Sequence, residues 1–245
     1  MKEIIINKDY EGLERISNGD YVLNGDLNID GNLTIDLDDR LVVRGNLIVK
    51  GTIKTDETII SDCGIKAGWS IEAGEGIEAG CGIEAGCGIK AGGGIEAGCG
   101  IEAGCGIKAG GGIEAGCGIK AGEGIEAGCG IKAGGGIEAG CGIKAGEGIE
   151  AGEGIEAGGG IEAGWSIEAG LDIACKCLSS KLRIFAGLCI WRKPVEEETY
   201  ITCEELKEGE IAFGKLNLIP KKQIKEMTIS EISEALGYEV KVINE

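Results

Sequence analysis

The sequence predicts an all-β fold: a parallel β-helix, or solenoid, of about 18 residues per coil, followed by a small α+β module that caps its C-terminal end. Three observations carry this. Isoleucine returns at every sixth position from Ile65 to Ile173, nineteen times without a slip, and self-similarity at a short fixed period marks a solenoid. Glycine recurs at the fourth and, in most hexads, the sixth position there, which removes the helical option because each interior glycine costs about 1 kcal/mol against alanine. The charges at the second position of each hexad then select the coil length.

The unit reads Ile-(Glu/Lys)-Ala-Gly-x-Gly. On an extended strand successive side chains alternate, so isoleucine and alanine share one face and the charged residue points the other way. A three-residue strand followed by a Gly-x-Gly bend is the natural division, with glycine expected to supply the positive φ angles of tight corners. Collagen is excluded, since its glycine recurs at every third residue with proline enriched and the repeat holds no proline. Residues one coil apart stack about 4.8 Å from each other, so like charges at that spacing repel. Pairing each second-position charge with the one three hexads on gives nine opposite-sign and six like-sign pairs. A spacing of two hexads gives five opposite and eleven like. The three-sided coil is favoured.

The unit Ile83-Glu84-Ala85-Gly86-Cys87-Gly88 and its siblings resemble the hexapeptide repeat of left-handed parallel β-helices. That resemblance implies three hexads per triangular coil, a left-handed winding and aliphatic side chains filling the prism. Lysine at the second position and glutamate or tryptophan at the fifth depart from the family pattern.

Taken in order, residues 1–62 read as an N-terminal cap and irregular coils. A short helix or turn is expected around Lys8 to Ile16, and alternating strands from Tyr21 through Leu47-Ile48-Val49 to Ile53. These looser hexads also bear a likeness to bactofilins, cytoskeletal β-helix polymers. Residues 63–173 form the regular array. Its fifth position accepts Cys, Gly, Glu and Trp, and a tight interior could not take both glycine and tryptophan or bury unpaired glutamates. The slot is therefore expected at a solvent-accessible corner, and Trp69 and Trp165, each in Gly-Trp-Ser-Ile, are expected to mark the end coils. Residues 174–245 read as the α+β cap. Strands are expected over Leu178 to Trp191, Tyr200 to Thr202 and Glu210 to Leu218, then a helix from Ile232 to Leu236 behind the capping box Thr228-Ile229-Ser230-Glu231. Gly237 and a final strand from Tyr238 to Ile243 follow.

Composition limits function. The chain has no histidine, which removes the catalytic base used by hexapeptide acyltransferases, Ser-His and Cys-His nucleophiles, and most zinc catalysis. Neither an enzyme nor a cofactor is expected. Cys175, Cys177, Cys189 and Cys203 are candidates for an all-thiolate zinc site, against the alternative of ordinary buried thiols. Cys63, Cys81, Cys99 and Cys117 fall one coil apart, within Cα reach for disulfides or as a thiol ladder. The N-terminus lacks an apolar signal core and no 18-residue apolar run exists, so a cytoplasmic protein is expected.

A net charge of −18 argues against direct binding to nucleic acid or to an anionic membrane. Along the repeat the density is roughly −0.4 per Å, of the same order as the ~0.6 per Å of duplex DNA. The sequence thus predicts a non-enzymatic acidic interaction protein, of the kind a phage or mobile element encodes. It would bind and block a basic or DNA-binding protein through Glu78, Glu96, Glu114, Glu150, Glu168, Trp69 and Trp165, with homo-oligomerisation left open. Two alternatives stand beside this: a self-assembling filament or fibre segment, and an ice binder. The charged outward ranks speak against the last of these.

Overall fold

The computed structural model describes residues 2–220 and 228–236. The chain winds as a parallel β-solenoid with three sides to the coil. Its regular strands are three residues long, Ile65–Ala67, Ile71–Ala73 and so on at every sixth residue to Ile155–Ala157. Each pairs in parallel with the strand three hexads later, Ile65 opposite Ile83, Lys66 opposite Glu84 and Ala67 opposite Ala85. Among the described residues one side of the prism stacks eleven strands, from Leu27–Ile29 to Lys215–Leu218.

The interior is a column of isoleucine and alanine. Every first-position isoleucine from Ile65 to Ile173 is at most 1 % exposed, and the third-position alanines from Ala67 to Ala169 lie between 1 % and 7 %. Alternating one large and one small inward side chain fills a narrow triangle without aromatic residues, and no buried side-chain nitrogen or oxygen lacks a hydrogen-bond partner among the described residues. The fifth-position side chains are half-buried or exposed throughout, as a corner slot requires; Trp69 is 54 % and Trp165 56 % exposed.

The role of the repeat glycines differs from the expectation. Positive φ occurs at Gly12, Gly19, Gly25, Gly187, Gly209 and Gly214, and at no described glycine of the regular array. Close stacking is what demands glycine there. A Cβ on Gly86 would lie 2.2 Å from the carbonyl oxygen of Gly68 one coil below, and one on Gly116 would lie 2.1 Å from that of Gly98. The sixth-position glycines are less constrained, with Gly94 clearing the nearest carbonyl by 3.5 Å. Serine accordingly replaces glycine in this slot at Ser70 and Ser166.

The two ends depart from the hexad. No helix forms over Lys8 to Ile16; turns lead into the strand Leu13–Arg15, which pairs antiparallel with Tyr21–Leu23. Glu3–Ile6 stacks in parallel on Asn32–Ile35. Early coils are longer, Leu27 facing Leu47, and the register of three hexads sets in where Leu41 faces Ile59. Asp38 ties this end together. It accepts from Lys8 Nζ at 2.8 Å and from Tyr21 Oη at 2.7 Å, and these two donors hold its carboxyl at about 2. Buried Asp20 accepts from Arg40 Nε at 2.8 Å.

Beyond Ile173 the hexad fails but the parallel ladder continues. Cys177–Ala186 bends round a corner, pairing first with Gly160–Ala163 and then with Ile167–Ala169. Glu205–Phe213 stacks on it in turn, while Tyr200–Cys203 and Lys215–Leu218 extend the third side. These strands were expected in a separate α+β cap; they are added coils of the same solenoid, because Leu178, Ile184 and Ile201 take over the inward positions and are fully buried. Trp69 and Trp165 lie in the first and last coils of the regular array, as expected, and further coils continue the stack beyond them at both ends. The helix runs from Ile229 to Leu236. Its capping box is formed, Glu231 Oε2 accepting from Thr228 N at 2.7 Å and Glu231 N donating to Thr228 Oγ1 at 3.3 Å. Gly237 and the strand expected over Tyr238 to Ile243 lie outside the described residues.

Close stacking at the fourth position predicts that Gly116→Ala lowers stability by about 1–3 kcal/mol or more, the range for overpacking. Gly94→Ala, with room for its methyl group, should change it by less than about 1 kcal/mol. Denaturant midpoints of the two variants check this.

Candidate interaction faces

Three-fold winding sorts the second-position residues into three outward ladders. The first face carries Lys54, Glu72, Lys90, Lys108, Glu126, Lys144 and Glu162 in stacking order. The second carries Glu78, Glu96, Glu114, Lys132, Glu150 and Glu168. The third carries Lys66, Glu84, Glu102, Lys120, Glu138 and Glu156. Net charge is thus +1, −4 and −2 over these residues. The acidity of the chain is unevenly distributed, and the five glutamates singled out from the sequence all fall on the second face.

Lys132 is the one cation in that acidic ladder, and it leans along the stack to Glu150 at 3.8 Å. The same lean recurs. Lys66 reaches Glu84 at 2.6 Å, Lys108 reaches Glu126 at 2.9 Å, Lys120 reaches Glu138 at 2.9 Å and Lys144 reaches Glu162 at 3.5 Å. In every one of these pairs lysine precedes glutamate by one coil. The four opposite-sign neighbours in the reverse order, such as Glu72 and Lys90, form no ion pair among the described residues. The glutamates raise the Lys66 and Lys120 ammonium groups, chiefly by hydrogen bonding. All are more than half exposed, so each pair stabilises the coil stack only slightly and is screened by salt.

The two tryptophans are not brought together. Trp69 lies on the corner between the third and first faces, between Ile65–Ala67 and Ile71–Ala73. Trp165 lies on the corner between the first and second faces, preceding Ile167–Ala169 and lining the acidic face with Glu150 and Glu168. A third exposed aromatic was missed from sequence. Trp191, beside the almost fully exposed Ile190, sits in the loop between Gly187 and Thr199 and leans over Gly152 on the corner between the second and third faces. Arg192 donates to both carboxylate oxygens of Glu198 at 2.6 Å, and with the Val195 amide it holds that carboxyl at about 2. The signal was Gly187 and Pro194, two turn formers on either side of it.

Of the four candidate zinc ligands, Cys175, Cys177 and Cys203 lie near enough to act on one another electrostatically, but they do not form a metal-holding set. Among the described residues no group of three or more histidine, cysteine, aspartate or glutamate side chains is placed to hold a metal ion. Cys203 is buried, and Cys175 is pushed up to about 12 by burial and then by Cys203, so both are thiols at neutral pH. The corner cysteines do align. Backbone bonds run from Cys81 N to Cys63 O at 2.8 Å, Cys99 N to Cys81 O at 3.0 Å, Cys117 N to Cys99 O at 3.0 Å and Cys105 N to Cys87 O at 3.0 Å. Packing at the corner, then the stacked thiols of Cys81 and Cys117, raise Cys99.

No helix among the described residues is long and apolar enough to cross a membrane. Comparison with known proteins returns no matching family model, no matching curated protein and no matching solved structure.

Because the thiolate is the nucleophile, replacing both Cys81 and Cys117 by serine should speed alkylation of Cys99. Peptide mass spectrometry of iodoacetamide-treated protein reads this. An unchanged rate would show that packing alone sets the thiol.

Proposed function

We propose that this protein is a non-enzymatic acidic interaction protein that binds a basic protein, of the nucleic-acid-binding class, and occupies the surface that protein uses for DNA or RNA. The observation that carries this reading is the alignment of Glu78, Glu96, Glu114, Glu150 and Glu168 on one flat face, about 4.8 Å apart per coil. A rigid ladder presents its charges with little backbone ordering cost on binding. Anions arrayed on a rod also steer a cationic partner over distances comparable to the Debye length. Trp165 at the edge of that face, together with Trp191, offers exposed aromatic area of the kind that anchors interfaces. Lysines on the other faces limit the resemblance to a polyanion to this one side.

The likeness to hexapeptide-repeat β-helices is taken as a likeness of coil, and the reading includes no acyl transfer, no cofactor and a cytoplasmic setting. End-to-end polymerisation of the bactofilin kind is less favoured. The antiparallel strand Leu13–Arg15 interrupts the parallel ladder at one end, and the outward ranks are charged.

The test is capture of basic proteins from a lysate by the immobilised chain. Partners retained at low ionic strength should be released at about 0.5 M salt and by competing duplex DNA. They should be lost with Glu96→Lys/Glu114→Lys on the second face and kept with Glu84→Lys/Glu102→Lys on the third. Equal loss in both double variants would contradict a dedicated acidic face.

A further inference from the structure

The first face suits a second copy of the same face. Among the described residues its stack holds eleven strands, from Glu3–Ile6 through Asn32–Ile35 and Ile53–Thr55 up to Cys177–Ala186 and Glu205–Phe213. Lys108 occupies the sixth of these, the midpoint. Four lysines, Lys54, Lys90, Lys108 and Lys144, stand in its ladder, and at its last strand Lys207 lines the face beside Glu208, the register partner of Ser179. It is the only one of the three faces whose central ladder is not net negative.

We infer that the chain forms a two-fold homodimer through this face, with the two solenoid axes antiparallel and Lys108 at the dyad. A two-fold axis lying in the plane of the face and along its strands reverses the order of coils between copies. Centred on Lys108, it sets Lys54 opposite Glu162, Glu72 opposite Lys144 and Lys90 opposite Glu126. Each pair occurs twice. Thr34 then faces Ser179, a neutral pair, and the one like-charge encounter is Lys108 with its own copy.

The register is sharply defined. Slipping by one coil in one direction confronts Lys54 with Lys144, Glu72 with Glu126 and Lys90 with Lys108, every pair like-signed. Slipping the other way confronts Glu72 with Glu162 and Lys90 with Lys144, leaving Lys108 with Glu126 as the only opposite pair. The register that matches the charges is also the one that overlaps the eleven-strand faces end to end, although nothing in the charge order requires the two to coincide.

The other faces do not behave this way. On the second, five of the six charges are glutamate, so any reversed superposition sets carboxylates against one another. The third reaches four opposite pairs and one like pair only off-centre, with Glu102 on the dyad and two coils overhanging. A parallel arrangement of two first faces, with the dyad along the solenoid axis, places every charge opposite itself.

Ten steps of about 4.8 Å make the face roughly 48 Å long. At a width of roughly 15 Å it covers on the order of 700 Å² per copy, close to the ~800 Å² of a standard interface. The charges fix orientation and register more than strength. A closed two-fold pairing uses up the first face of both copies and leaves the acidic second face of each outward. The dimer does not depend on the proposed basic partner and would stand if that partner did not exist.

Sedimentation equilibrium of the full chain tests this. The wild type should be dimeric at about 20 mM salt and dissociate at about 0.5 M. Lys90→Glu alone and Glu126→Lys alone should each weaken association by about tenfold or more, and the double variant Lys90→Glu/Glu126→Lys should recover to within about threefold of wild type. A second exchange, Glu72→Lys with Lys144→Glu, should behave alike, and circular dichroism reports whether each variant keeps its sheet. Glu96→Lys on the second face should leave the dimer intact. A wild-type chain that stays monomeric at low salt, a dimer indifferent to the single reversals, or double exchanges that fail to recover would each overturn the assignment.

Discussion

The structure depends on how closely one coil approaches the next at its corners. At the fourth position of each hexad the chain passes so near the coil below that a single methyl group would fall inside the van der Waals radius of a backbone carbonyl oxygen. Glycine there lets amide and carbonyl groups meet across the corner, as in the bonds from Gly86 N to Ala67 O at 3.1 Å and from Gly116 N to Ala97 O at 2.9 Å. The hydrogen-bonded ladder therefore runs around the corner as well as along the sides. With every coil seated on its neighbour in this way, the isoleucines fall into columns and the outward residues into ranks. Within the regular array the interior needs nothing larger than isoleucine, which is how a chain with 4 % aromatic residues encloses a continuous core.

Seating also turns a linear sequence into a surface pattern. Neighbouring hexads point to different sides, and only residues three hexads apart share a rank, so the alternation of lysine and glutamate along the chain becomes three ladders of different net charge. The five ion pairs within these ladders all have lysine one coil before glutamate. This regular lean is a property of side chains repeated in one backbone environment. An acidic side, a mixed side and a side balanced in favour of lysine are separate surfaces of one rod, able to serve separate contacts.

Much of this was legible in the residues. The period of isoleucine required a solenoid, charge pairing across three hexads outweighed pairing across two, and the mixture of Gly, Cys, Glu and Trp at the fifth position placed that slot at an accessible corner. Other features were not legible, for physical reasons. Glycine is compatible both with unusual φ and with close approach, and composition alone does not separate them; the corners are crowded rather than left-handed. Leu178, Ile184 and Ile201 continue the inward column after the hexad has gone, because a coil needs inward aliphatic side chains and free backbone edges more than it needs a fixed spacing. The four C-terminal cysteines looked like a ligand set only while their positions were unknown. The contrast between faces was available in principle, since assigning every third hexad to one side is enough to reveal it.

The corner cysteines report the winding directly, because some of them fall three hexads apart and others two. Mild oxidation of the native chain followed by disulfide mapping is the most direct test. Stacked coils of three hexads predict the linkages Cys63–Cys81, Cys81–Cys99, Cys99–Cys117 and Cys87–Cys105. Linkages Cys87–Cys99, Cys105–Cys117 and Cys117–Cys129 in the folded protein would mean that the coil closes after two hexads, and the faces described above would not exist.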